Sequence, residues 1–215
     1  RNNISTFFRD KSLYLSSICA DIMLDSFTAS NFDATYYSYL LEKIIISAAE
    51  LEIPIIVIPL IEQMSFATSG GNFFSQVIEI LCPACSIATQ KNVILALELD
   101  LNPHEVEKLF SQLPPEIKIN YDTGNSAALG FDPLDELSLY GSKIVDIHIK
   151  DRRKDGPSVL LGTGDANLNI VAEFIMQTHF SGPVILQAYR DTEAVKLTNI
   201  QGQWFRSLLE LSANS

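Results

Sequence analysis

Six short apolar runs, each followed by a stretch of helical periodicity, set the strongest limit on what this chain can fold into. LYLSSICADI (13–22), IPIIVIPL (53–60), VILALEL (93–99), IKINYD (117–122), KIVDIHIKD (143–151) and PVILQAY (183–189) read as strands, rich in β-branched residues. IPIIVIPL is almost wholly apolar, as a strand covered on both faces should be. YSYLLEKIIISAAEL (37–51), FFSQVIEILCPACSIATQ (73–90), PHEVEKLFSQL (103–113), PLDELSLYG (133–141) and LNIVAEFIMQTHF (168–180) carry helical periodicity. VKLTNIQGQWFRSLLELS (195–212) closes the chain as an amphipathic helix. Pro103 suits a first helical turn, and Gly141 suits a helix stop.

Strands alternating with helices imply an α/β chain with a parallel sheet covered by helices. Such a succession either closes into a barrel or stays open and doubly wound. A dinucleotide-binding sheet needs a Gly-rich turn after its first strand, and no strand here is followed by GxGxxG. The expectation is therefore a parallel (β/α) barrel of the TIM type. Eight strands are needed and six are legible. Residues 1–215 are accordingly read as one barrel domain, N-terminally incomplete and lacking its first two strands; a six-stranded open form is the alternative.

Bulk chemistry excludes some partners. Fifteen Lys and Arg against twenty-six Asp and Glu give a net charge of −11, which lacks the basic footprint of a nucleic-acid binder. Cys19, Cys82 and Cys85 read as reduced thiols, which points to the cytoplasm. CPAC (82–85) falls inside a predicted helix with no second Cys or His pair nearby, so packing is favoured over a redox or zinc motif. RNNISTFFRD lacks the apolar core of a signal peptide, and IPIIVIPLI is too short to span a bilayer, so no membrane partner is expected.

Polar residues interrupt the strands at their C-terminal tips, where parallel-barrel side chains meet the active-site mouth. VILALEL carries Glu98, IKINYD carries Asp122, KIVDIHIKD carries His148 with Lys150 beyond it, and PVILQAY carries Gln187. Each has a bland reading taken singly: a paired surface glutamate, a turn at DTGNSA, a hydrogen-bonded structural histidine, a solvated glutamine. Four polar tips on four strands make the joint coincidence harder to accept. Two carboxylates, an imidazole and an amide oxygen suit one divalent ion, Mn²⁺, Mg²⁺ or Co²⁺, with Zn²⁺ also admissible.

The segments ALELD, DTGN, HIKDRR, LGTGDAN and ILQAYR stand in that order along the chain. In this they resemble the xylose-isomerase-like sugar (phosphate) isomerase and epimerase family, with HIKD followed by LGTGD the most specific part. The resemblance covers the chain from LYLSSICADI onward. It implies a metal held by Glu98, Asp122, His148 and Gln187. Two departures stand out: the last ligand is Gln187 where the family has Glu, and Asn125 replaces a His common after DxG.

The resemblance also implies a reaction. The metal would chelate the carbonyl and adjacent hydroxyl of an open-chain sugar, and a carboxylate would take the α-proton to give an enediolate. Glu98 would be that base, and Gln187 would act only as a neutral ligand, because an amide has no useful basicity. Epimerases of the family place a Glu on each side of the reacting carbon, so the implied activity is isomerisation of a sugar or sugar phosphate. A ketose 3-epimerase, or a non-catalytic sugar-binding or interaction barrel, is the alternative. Lys150, Arg152, Arg153 and Lys154 read either as a solvated basic turn or as a clamp for a phosphate or carboxylate, with Arg152 the best fork and Arg190 a second candidate. Asn125 would donate to a substrate hydroxyl, Asp21 and Glu62 would line the mouth, and LGTGDAN could let backbone approach a ligand. An apurinic-site endonuclease shares this barrel but needs about three metals and more histidines than the three present. Open sheet edges leave a homo-oligomer as an expected partner state.

Overall fold

The computed structural model describes residues 2–26, 30–67, 71–189 and 191–213. Along them run α1 (Asn2–Asp10), β1 (Ser17–Cys19), α2 (Ile22–Ser26), α3 (Ala34–Glu50), β2 (Ile55–Leu60), α4 (Gly71–Gln90), β3 (Ile94–Leu99), α5 (Pro103–Phe110) and β4 (Lys118–Asp122). There follow α6 (Thr123–Leu129), α7 (Pro133–Tyr140), β5 (Ile144–Ile149), β6 (Asp151–Arg152), β7 (Ser158–Val159), α8 (Leu168–Gln177), β8 (Val184–Leu186) and α9 (Ala194–Ser212). The six expected strands all form, in the sheet order β1-β2-β3-β4-β5-β8. The pairings β1–β2, β2–β3, β3–β4 and β5–β8 are parallel. Contacts divide the chain into two compact units, Arg1–Leu101 with Glu105–Asn120, and Asn102–His104 with Tyr121–Ser215.

In the first unit, β2 is buried at every position, as its unbroken apolar run requires. Tyr37, Leu41, Ile45 and Ala48 recur at three- and four-residue spacing and form the buried stripe of α3. Asp33 caps that helix, its carboxylate accepting the N–H of Tyr36 at 3.0 Å. Pro59 is tolerated within β2 because β1 ends at Cys19, opposite Val57, so no ladder bond is lost on that side. On the other side Pro59 lies level with Glu98 of β3.

In the second unit, β5 shows how a strand separates chemistry from packing. Ile147 and Ile149 are fully buried on one face, each worth about 1.5–3 kcal/mol of transfer free energy. Asp146 and His148 alternate with them and share the other face. The register places His148 beside Ile185 and Ile149 beside Leu186 of β8. Helix α8 packs on α9.

Three details differ from expectation. The segment at Asn2–Asp10 is helical. DTGNSA opens a helix, α6, where a turn was one reading. The first and last strands are shorter than their apolar runs, so Gln187 lies one residue past β8. Cys82 and Cys85 do fall within α4, and all three cysteines are free thiols.

Candidate metal centre

Asp122 ends β4 and caps α6. Its Oδ1 accepts the backbone N–H groups of Gly124 and Asn125, both at 2.8 Å. That satisfies two donors of the helix's first turn and fixes the carboxylate's orientation. Its Oδ2 is buried and accepts no hydrogen bond from the described residues. Two nitrogens face that oxygen instead, His148 Nδ1 at 4.0 Å and Lys150 Nζ at 3.9 Å. A buried carboxylate oxygen without a donor, beside an imidazole nitrogen, is a favourable place for a cation.

His148 stands on β5 with 3% exposure. Gln187 Nε2 lies 2.9 Å from its Nδ1, while Asp146 Oδ1 lies 3.7 Å from its Nε2. Gln187 is held there by its backbone, whose N–H donates to Ile149 O at 3.0 Å. A half-turn of the carboxamide exchanges its nitrogen for its oxygen, so the same position can present either a donor or a neutral oxygen ligand. The second unit thus gathers Asp122, His148 and Gln187 around one imidazole nitrogen.

Glu98 is the penultimate residue of β3 and is 7% exposed.

Other residues are placed as follows. Lys150 lays its stem across the start of α6, where a Cβ on Gly124 would meet Lys150 Cγ at 2.6 Å. Thr123, which the sequence reading passed over, ties β4 to the end of β5: its hydroxyl accepts the Lys150 N–H at 2.9 Å and donates to Lys150 O at 2.6 Å. The signal for it was its place directly after Asp122. Asn125 is half-buried, and its Oδ1 accepts from Arg152 Nη1 at 3.5 Å, the outer limit of a hydrogen bond. Asp21 is exposed and accepts from the Cys19 thiol at 3.0 Å. Glu62 is exposed and opens a short 3-10 turn at positive φ. Arg190 lies outside the described residues.

Within the basic segment, Arg152 is engaged by its own loop. Arg152 Nε and Nη2 donate to Gly156 O at 3.1 and 2.9 Å, so the fork folds onto its own loop. Arg153 and Lys154 are exposed. LGTGDAN also does other work than approaching a ligand. Asp151, 2% exposed, accepts the N–H groups of Gly162 and Gly164 at 2.9 Å each and of Ala166 at 3.1 Å. A Cβ on Gly164 would collide with Asp151 Oδ1 and come within 2.7 Å of Arg152 O, which is why glycine stands there. HIKD and LGTGD are thus two halves of one buried carboxylate–amide knot.

A second buried carboxylate went unnoticed in sequence because its partners lie on three elements. Glu136 of α7 accepts the hydroxyls of Tyr121 (β4) at 2.8 Å and Tyr140 (α7) at 2.6 Å, and that of Ser126 (α6) as well. Burial pushes its carboxyl above the ordinary range, and the three hydroxyls partly offset that rise. Burial, and then the Glu136 charge, push the Tyr121 and Tyr140 phenols up in turn. The network pins the residues on either side of Asp122 and Asn125.

The sequence model of one protein family, described as xylose isomerase-like TIM barrel, matches residues 2–208. No curated protein matches the chain. Solved structures resemble it at low identity. A xylose isomerase domain protein from Planctomyces limnophilus is 17% identical with a TM-score of 0.75, covering 100% of this chain and 84% of that one. A 3-keto-D-glucoside 4-epimerase from E. coli is 14% identical with a TM-score of 0.75, covering 96% and 84%. A xylose isomerase-like TIM barrel protein from Mycobacterium smegmatis, in complex with magnesium, is 14% identical with a TM-score of 0.76, covering 97% and 77%.

Proposed function

Because the chain belongs to the xylose isomerase-like TIM barrel family, we propose that it is a metal-dependent isomerase of a sugar or sugar phosphate, with Glu98 as its base. Glu98, Asp122, His148 and Gln187 would hold one divalent ion. The observation that carries this reading is the buried Asp122 Oδ2, which accepts no hydrogen bond from the described residues and faces His148 Nδ1, the nitrogen that Gln187 also approaches. Neutral imidazole, carboxylate and carboxamide oxygen are hard or borderline donors, a set that favours Mg²⁺ or Mn²⁺ over a thiolate-seeking ion. When bound, such an ion supplies Lewis acidity toward a carbonyl and its neighbouring hydroxyl.

The protein's own residues divide the remaining work. Glu98 takes the proton from the carbon beside the carbonyl and returns it to the adjacent carbon on the same face. Gln187 has no useful basicity, so it cannot serve as the second proton acceptor that an epimerase needs. This favours isomerisation over 3-epimerisation. Lys150, 3.9 Å from Asp122, balances negative charge there, and its ammonium would receive an anionic group of the sugar.

Exchange of the α-proton in D₂O tests the proposal. Sugar phosphates incubated with Mn²⁺ and the wild-type chain should take up deuterium, and Glu98→Gln should stop uptake while leaving metal affinity within about tenfold. Unchanged exchange in Glu98→Gln would remove Glu98 from the role of base.

A further inference from the structure

We propose that Asp146 is a positioning residue that holds the His148 imidazole in one tautomer, proton on Nε2 and lone pair on Nδ1. The inference rests on reading the Asp122–His148–Gln187 cluster as a metal centre, and it adds a residue outside that ligand set.

The argument starts from strand geometry. Period two on β5 puts Asp146 on the same face as His148, one step earlier along the strand. Asp146 is fully buried, and its Oδ1 lies 3.7 Å from His148 Nε2. The other ring nitrogen, Nδ1, faces Asp122 Oδ2 at 4.0 Å and Gln187 Nε2 at 2.9 Å. A neutral imidazole carries one proton on two nitrogens, and its neighbours decide which nitrogen holds it. A carboxylate offers only lone pairs. It favours the tautomer that turns N–H toward it and opposes the one that turns a lone pair toward it. Asp122 pulls the proton the other way from 4.0 Å, but Asp146 is nearer at 3.7 Å and the Gln187 amide, 2.9 Å from Nδ1, donates only to a lone pair there, so together they select Nε2–H. That leaves the Nδ1 lone pair aimed at Asp122 and Gln187, where it accepts the Gln187 amide or ligates a cation. The arrangement is a carboxylate–histidine pair of the kind that orients metal-ligating imidazoles.

A merely structural role predicts something different. A buried carboxylate is costly to hold, so Asp146→Asn, nearly identical in shape, should preserve or raise thermal stability. Zn²⁺ affinity should nevertheless fall about 10–100-fold, because the tautomer is no longer selected. The experiment uses the full chain, ¹⁵N-labelled and metal-free, and reads the His148 tautomer from long-range ¹H–¹⁵N correlations. Calorimetric Zn²⁺ titration of wild type and Asp146→Asn runs in parallel. We expect Nε2–H in the wild type, a mixture of tautomers in Asp146→Asn, and the stated loss of affinity without loss of melting temperature. Nδ1–H in the wild type would overturn the inference, and so would wild-type Zn²⁺ affinity in Asp146→Asn. Should wild type bind no Zn²⁺, the metal reading fails, while the tautomer spectra still decide the role of Asp146. Should Asp146→Asn fail to fold, the wild-type tautomer decides alone.

Discussion

Lys150 Nζ sits 3.9 Å from the Asp122 oxygen that would bind a metal, and its side chain is only 23% exposed. A fixed ammonium charge this close opposes a second cation by about 1 kcal/mol even in water-like surroundings. Lys150→Met keeps most of the stem that crosses Gly124 and removes the charge. It is expected to tighten Mn²⁺ about fivefold in calorimetry, with a smaller gain at high salt. Asp122, His148 and Gln187 stand out in the sequence as strand tips, and the structure brings them to one imidazole. Thr123, Asp146 and Asp151 were not given roles. Their partners are backbone atoms or lie across strands, and neither period-two alternation nor motif spacing reveals a side-chain-to-backbone bond. The bonds of Arg152 to Gly156 O are illegible for the same reason.

Between elements, two buried carboxylates carry most of the order around the site. Asp151 ties the end of β5 to the loop before α8 through three backbone N–H groups. Asp151→Ala would strand those donors and is expected to cost about 3 kcal/mol, read from urea unfolding, with new proteolysis between Leu160 and Ala166. Glu136 joins β4, α6 and α7 through three hydroxyls. Its folded carboxyl is raised by burial above its unfolded value. The folded state therefore binds the proton more tightly, and Glu136 lowers stability as pH rises from the ordinary carboxylate range through its raised folded value. Glu136→Gln should remove that slope. In urea unfolding between pH 4 and 8, the wild type is expected to lose stability relative to the variant as pH rises, and parallel curves would contradict this. The strands and long helices were legible because burial on both faces and the 3.6-residue period write themselves into composition. Helix α6 was not, because its first turn depends on Asp122 acting as a cap, a role that DTGN shares with an ordinary turn.

For the molecule as a whole, family and fold class follow from the ordered βα pattern, and the match over residues 2–208 agrees with them. Among the described residues no helix is long and apolar enough to cross a membrane. What the pattern leaves open is chemistry, because one barrel family supports many reactions. The central claim is that Glu98, Asp122, His148 and Gln187 form a centre for one divalent ion. Metal content by elemental analysis, with Mn²⁺ calorimetry on wild type, Glu98→Ala and His148→Ala, tests it most directly. The account predicts close to one ion per chain in the wild type and loss of binding in both variants. No binding by the wild type at millimolar Mn²⁺, Mg²⁺ or Co²⁺, or full binding in both variants, would contradict it.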